Sequence, residues 1–141
     1  MTDEFNLSDS EIVVMRILWT LGDISSEEII AAIPDFYQWS PSTVRTFLAR
    51  LTKKGITSST RKGHKFIYHA QKTEDEVIQL LTSELLHKIC AMKQTDVVIN
   101  LIDYGEFTAD DKSRINRHLS AKTEVDKVSC DCLSKFHICN C

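Results

Sequence analysis

The chain has 141 residues, room for one domain with an appendage or for two small units. Its 43% hydrophobic and 26% charged residues are the balance of an ordinary soluble globular protein. No apolar run approaches a membrane span, and Met1-Thr2-Asp3-Glu4 lacks a basic, apolar targeting pattern, so a cytoplasmic location and no membrane partner are expected. The net charge of −3 conceals an asymmetry: residues 36–73 hold no Asp or Glu but eight Lys and Arg, which leaves nine Lys and Arg against all twenty acids elsewhere. An acid-free run of that length in an acidic protein is better explained by a polyanionic partner than by a solvated face.

Ser8 with Glu11 three residues on is a capping box, and Ile12, Val13, Met15, Ile17, Leu18, Trp19 and Leu21 follow, so a first helix is expected between Ser8 and Gly22. Asp23-Ile24-Ser25 reads as a short extended link. Ser25 or Ser26 then caps a second helix with Ile29, Ile30 and Ile33, and Glu27 and Glu28 stand in its first turn, where the helix dipole favours acids. Pro34 stops it, because the residue before a proline is pushed out of the α region. For a third helix, Ser40 is the N-cap and Pro41 the first helical residue, where its missing N–H costs nothing. Val44, Phe47, Leu48 and Leu51 form one apolar stripe, and Gly55 supplies the stop. The opposite face carries Ser42, Thr43, Thr46, Arg50 and Lys53, with Arg45 at its margin, and no carboxylate interferes along this stretch.

Residues 56–60 and 66–70 read as two strands around the basic turn Arg61-Lys62-Gly63-His64-Lys65, a β-hairpin. Three helices followed by a basic hairpin is the order of a winged helix-turn-helix, in which the third helix enters the major groove and the hairpin lies along the DNA backbone. Double-stranded DNA is therefore the expected partner, contacted by Ser42, Thr43, Arg45, Thr46, Arg50 and Lys53 from the helix and by Arg61, Lys62 and Lys65 from the hairpin. A generic small α+β domain with a solvated basic face is the plainer alternative. The charge falls on the two elements that a winged helix presents to DNA, which favours the DNA reading.

Thr73 with Glu76 opens a fourth helix running to about Cys90, and its Val77, Ile78, Leu80, Leu81, Leu85, Leu86 and Ile89 cover more than one stripe. Cys90 continues an apolar face and is expected to be a packed core thiol rather than a ligand. Val97, Val98, Ile99, Leu101 and Ile102 mark a fifth helix ended near Gly105. Thr108 caps a sixth, with Asp110 and Asp111 in its first turn and Ile115 and Leu119 inward. Helices this short do not hold a core alone, so residues 73–122 are expected to form a homodimer. The expected fold is mostly α with a small β-hairpin: a winged-helix domain over residues 1–72, a helical dimerisation region over 73–122, and a linker with a Cys-rich tail over 123–141.

Four of the five cysteines lie in that tail, as Cys130-Asp131-Cys132 and Cys139-Asn140-Cys141. Cysteines two apart can bring both sulfurs to one ion, and the six-residue connector lets the second pair fold back on the first. The four thiolates suit tetrahedral Zn²⁺, or Cu(I), which is softer and accepts fewer ligands. A disulfide hook is disfavoured in a reducing cytosol, an iron–sulfur set by the spacing, and chance clustering by the symmetry of the two pairs. His137 lies in the connector as a solvated bystander, since the thiolates already complete the set. No Gly-rich phosphate loop, His-Glu-x-x-His motif or Ser/His/Asp arrangement is present, so an enzyme is not expected.

Met15-Arg16-Ile17-Leu18-Trp19, Trp39-Ser40-Pro41-Ser42-Thr43-Val44-Arg45-Thr46 and Arg50-Leu51-Thr52-Lys53-Lys54-Gly55 resemble the penicillinase-repressor (BlaI/MecI) family of winged-helix regulators. The double Cys-x-Cys tail resembles the CopY-type copper-responsive branch, and the likeness covers essentially the whole chain. It implies a homodimeric repressor of a copper-export operon, bound to an inverted-repeat operator in its zinc-loaded form. Cu(I), handed over by a copper chaperone, replaces the zinc and releases the operator. By that resemblance Cys130, Cys132, Cys139 and Cys141 are the metal hook, and Ser42, Thr43, Arg45 and Thr46 fall in the recognition-helix block. The connector, residues 133–138, is longer than in the hook the resemblance implies. Two other functions stay open: a β-lactam-type repressor inactivated by proteolysis near Asn100-Leu101, and a metal-storage or delivery protein in which the basic domain is incidental.

Overall fold

The structure, a computed structural model, describes residues 6–133. The chain packs as two compact units that divide after Leu80. In the first, α1 (Asp9–Leu21), β1 (Ile24–Ser25), α2 (Ser26–Ala32) and α3 (Pro41–Lys53) precede the hairpin of β2 (Thr57–Lys62) and β3 (Lys65–Ala70). This is a winged helix-turn-helix.

The helix starts follow the capping logic. Ser8 Oγ accepts the Glu11 N–H while the Glu11 carboxylate accepts the Ser8 N–H, and Ser25 and Glu28 repeat the arrangement at α2. Ser40 Oγ accepts the Thr43 N–H at the start of α3, with Pro41 in the first turn. These starts aim the apolar stripes inward. Val14, Met15, Leu18, Ile29, Val44, Leu48, Leu51 and Ile56 close a core in which none is more than 1% exposed. Each such side chain stabilises the fold by about 1.5–3 kcal/mol. Glu11 is buried beside them, and its carboxylate is satisfied by the Ser8 N–H at 3.0 Å and Lys54 Nζ at 2.7 Å. Lys54 also donates to the Asn6 carbonyl, so this cation of the acid-free run serves the start of α1.

At the end of α3 the chain reverses at Gly55, whose φ of +75° is a left-handed conformation that suits glycine. The Ile56 N–H returns to the Leu51 carbonyl at 3.0 Å, which drops Ile56 into the core and launches β2. The sheet has three strands in the order β1-β3-β2, one more than the expected hairpin. Ile24 pairs with Tyr68 and Ser25 with Ile67. The link before α2 is extended as expected, but two residues are too few to show strand alternation, so its pairing was not visible in the sequence. The hairpin is also tighter than expected. Lys62 pairs with Lys65, and the turn is Gly63-His64 alone, with Gly63 at φ +66°. Arg61, Lys62 and Lys65 thus lie on the strands at the tip and not in a loop. Beyond Pro34 a 3₁₀ turn over Asp35–Tyr37 leads to Gln38 at φ +53° and on to the cap of α3.

α4 (Glu74–His87) contributes Val77, 2% exposed, to the buried set of the first unit. Its end departs from expectation. The Lys88 N–H is shared between the Glu84 and Leu85 carbonyls, and the Ile89 N–H reaches Leu86. The last turn tightens, the helix stops at His87, and Cys90 follows with extended backbone (φ −52°, ψ 134°) ahead of a 3₁₀ turn over Ala91–Lys93.

In the second unit α5 (Gln94–Tyr104) and α6 (Ala109–Ala121) follow, the latter capped by a reciprocal Thr108–Asp111 box. A Cβ at Gly105 between them would stand 2.5 Å from the Phe107 ring and 2.9 Å from the Leu101 carbonyl oxygen, a close approach that suits glycine. Neither α5 nor α6 has a buried residue. Ile115 and Leu119, expected inward, are 37% and 71% exposed in the single chain. No described helix is long and apolar enough to cross a membrane.

Candidate nucleic-acid interface and thiol cluster

The stripe of α3 that enters the core turns its other face outward. Ser42, Arg45, Thr46, Arg50 and Lys53 are exposed and Thr43 is half-buried. At the N-terminal end the hydroxyls hold one another: Ser40 Oγ lies 3.0 Å from Ser42 Oγ and 2.9 Å from Thr43 Oγ1. Thr46 donates its O–H to the Ser42 carbonyl at 3.0 Å, so toward an incoming group it offers its methyl and its oxygen as acceptor.

The hairpin tip adds Arg61, Lys62 and Lys65, all exposed. Arg61 and Phe66 are cross-strand partners, and the guanidinium carbon sits 5.9 Å from the ring centroid while Nε donates to the Gly63 carbonyl at 3.2 Å. Phe66 thus acts as a platform that orients Arg61. Lys62 and Lys65 stand directly opposite each other. Like charges in that position are destabilising by themselves, and an anion between them removes the cost. His69, by contrast, is engaged within the fold, with Nδ1 3.1 Å from Asp23 Oδ2 and Nε2 2.9 Å from Thr60 Oγ1.

The fold also brings acids to this face that the chain order hides. Hydrogen bonding to its own backbone N–H, chiefly, holds the Glu27 carboxyl below its ordinary range, and Arg45 and Lys65 add to the shift. The Ser25 backbone N–H and hydroxyl do the same for Glu28, again with Lys65 contributing. No acid interrupts residues 36–73 in sequence, yet Glu27 lies within electrostatic reach of two of the basic side chains. It thereby trims the positive field at the entry of α2.

A second cluster lies in the second unit. The sulfurs of Cys90, Cys130 and Cys132 all stand within 4.8 Å of one another. The Cys90 thiol is 3.6 Å from Cys130 Sγ. Asp131, between the paired cysteines, accepts the Ala91 N–H on Oδ1 at 2.9 Å. Cys139, Cys141 and His137 lie outside the described residues. Cys90 is half-buried beside the Cys-x-Cys pair and not packed along a helical face, because α4 stops before it. The sequence offered one signal for this position: a fifth cysteine in a chain whose other four already form a ligand pattern. Two thiolates on one Zn²⁺ at about 2.3 Å and a tetrahedral angle stand ~3.8 Å apart, so the cluster fits a single soft cation with small side-chain rotations. Three thiolates suffice for Cu(I), and Zn²⁺ calls for a fourth donor. Among the described residues no other set of three His, Cys, Asp or Glu side chains is gathered this way. The Asn100-Leu101 bond lies inside α5, with both residues exposed.

The family model of the penicillinase repressor matches residues 7–121. An uncharacterised 16.5 kDa protein of the ptsI 3′ region of Latilactobacillus sakei is 34% identical over 137 residues, covering 96% of this chain and 92% of that protein. The penicillinase repressor of Bacillus licheniformis is 27% identical over 105 residues, covering 74% of this chain and 82% of its own. A solved CopR repressor structure is 44% identical and covers 48% of this chain and 99% of that one, with a TM-score of 0.43.

Proposed function

The chain belongs to the penicillinase repressor family of DNA-binding transcriptional repressors, and on that premise we propose that it is a copper-responsive repressor acting as a homodimer in the cytoplasm. It holds an inverted-repeat operator while its cysteine thiolates hold Zn²⁺ and leaves the operator when they hold Cu(I), delivered by a copper chaperone. The observation that carries this reading is the convergence of Cys130 and Cys132, with Cys90, to sulfur separations within 4.8 Å. Cys139 and Cys141 supply further thiolates in the same reading. The metal contributes a change in preferred coordination, from four sulfurs to two or three, so the same residues take two arrangements.

Operator contact is assigned to Ser42, Thr43, Arg45, Thr46, Arg50 and Lys53 on α3 and to Arg61, Lys62 and Lys65 on the wing. Six of these are cations, and each that neutralises a phosphate adds about 0.9 to the salt dependence of binding. The dimer reading is supported by α5, where Val98, Ile99, Leu101 and Ile102 are 45–56% exposed and the described residues do not cover them. Two recognition helices dock together only when about one DNA turn, ~34 Å, separates them. Cys90 lies between α4 and α5, so rearrangement of the thiolates acts on the segment that joins the dimerising helices.

Selection of bound fragments from random duplex DNA by the full zinc-loaded chain tests this. Enrichment of an inverted repeat, with fragments released on adding Cu(I), is expected. A storage or delivery protein enriches no sequence, and a repressor that answers to proteolysis enriches the repeat but keeps it in Cu(I). Either result contradicts the copper reading.

A further inference from the structure

We infer that Cys90 is a third metal-binding thiolate, forming with Cys130 and Cys132 a three-sulfur site for a soft monovalent cation within one chain, and that Asp131 is its positioning residue. This inference rests on reading the protein as a thiolate metal sensor and adds to the Cys-x-Cys pairs a ligand from outside the tail.

Three observations carry it. The first is distance: Cys90 Sγ stands 3.6 Å from Cys130 Sγ, and Cys132 Sγ joins them within 4.8 Å, the spacing of sulfurs that share one ion. The second is backbone placement. Cys90 follows the tightened end of α4 with extended dihedrals, which carries it off the helical face. The third is a latch across 40 residues, the 2.9 Å hydrogen bond from the Ala91 N–H to Asp131 Oδ1. The 3₁₀ turn at Ala91–Lys93 has no side-chain cap from its own N-cap residue, and Asp131 supplies that acceptor from the tail. One bond therefore satisfies the turn and seats the Cys-x-Cys pair beside Cys90.

The chemistry favours a monovalent soft cation. A Cys-x-Cys pair alone offers two sulfurs, and Cys90 raises this to three, a number Cu(I) accepts and Zn²⁺ does not complete. Each thiol gives its proton to solvent as it binds, so occupancy rises with pH. The site also ties metal occupancy to the junction of α4 and α5.

Anaerobic competition for Cu(I) against a chromophoric chelator, with full-length protein, tests the assignment. The background variant C139S/C141S retains Cys90, Cys130 and Cys132 and is expected to hold one Cu(I) per chain, with three sulfurs by X-ray absorption. Adding Cys90→Ser is expected to weaken binding about tenfold or more and to leave two sulfurs. Asp131→Ala, which keeps every thiol, is expected to weaken it about tenfold, as loss of an outer-shell partner does. Circular dichroism of each variant separates ligand loss from misfolding. Unchanged affinity and sulfur count on adding Cys90→Ser, while the wild-type chain binds Cu(I), overturns this inference alone. Failure of the wild-type chain to bind Cu(I) overturns it together with the sensor reading.

Discussion

The two units of the chain are held together in different ways. The first closes a core of eight side chains, each at most 1% exposed, drawn from α1, α2, α3 and Ile56 just ahead of β2. The second contains two helices with no buried residue, and leaves Leu101 at 56%, Leu119 at 71% and Tyr104 at 88% exposure. A closed core fixes the face of α3 and the hairpin tip in one geometry, which reading a DNA groove requires. Helices without a buried residue leave apolar side chains open to a further partner, which on the proposed function is a second copy of the chain. The basic side chains sit on the closed unit and the gathered thiols on the open one. On the proposed function, recognition falls to the closed unit and response to the open one.

That contrast is sharpest under truncation. Leu48→Ala empties a fully buried position and is expected to destabilise the first unit by about 2–5 kcal/mol in urea unfolding. Leu101→Ala is expected to leave protomer unfolding unchanged and to raise the dimer dissociation constant in sedimentation equilibrium. Equal losses of protomer stability from both would break the distinction. Next in size is Lys54→Met, which leaves the Glu11 carboxylate buried without its cation. About 3 kcal/mol of destabilisation is expected, with the salt slope of operator binding unchanged. A shallower slope would instead assign Lys54 to a phosphate. Arg50→Ala reverses that pattern: thermal stability holds, and the slope of log affinity against log salt becomes shallower by about 0.9.

The smallest effect concerns pH. The folded Glu28 carboxyl lies below its ordinary 4.5, so its contribution is complete above that value and is lost as pH falls through the lowered pKa. Glu28→Gln is expected to be less stable than the parent at neutral pH, and the difference should shrink as the pH drops below 4.5. A difference that stays constant down to pH ~3 would remove the charge from the explanation.

The first unit was largely legible in the sequence because its signals are local. Ser8 with Glu11 and Ser40 with Pro41 mark helix starts within a few residues and both caps form, while of the two serines that could cap α2 it is Ser25 that does, with Glu28 as its reciprocal partner. The stripe of α3 likewise buries Val44, Leu48 and Leu51. What escaped depends on contacts between distant residues. The pairing of Ile24 with Tyr68 adds a strand that two residues cannot announce. The approach of Glu27 to Arg45 and Lys65 is set by the packing of α2, not by chain order. In sequence Cys90 continues an apolar helical face, since Leu86 precedes it by four residues. No Gly or Pro marks the end of α4, where the hydrogen bonds of Lys88 and Ile89 tighten the last turn. The latch from Ala91 to Asp131 spans a separation that no local pattern reports.

The most direct test of the division of labour follows operator anisotropy while Cu(I) is titrated into the zinc-loaded dimer. It is run for the wild-type chain and for a variant with Cys130, Cys132, Cys139 and Cys141 all changed to Ser. The account predicts that Cu(I) releases DNA from the wild type and leaves the variant's affinity unaltered. Release from both, or from neither, would contradict control of the DNA-reading unit by the thiols of the second.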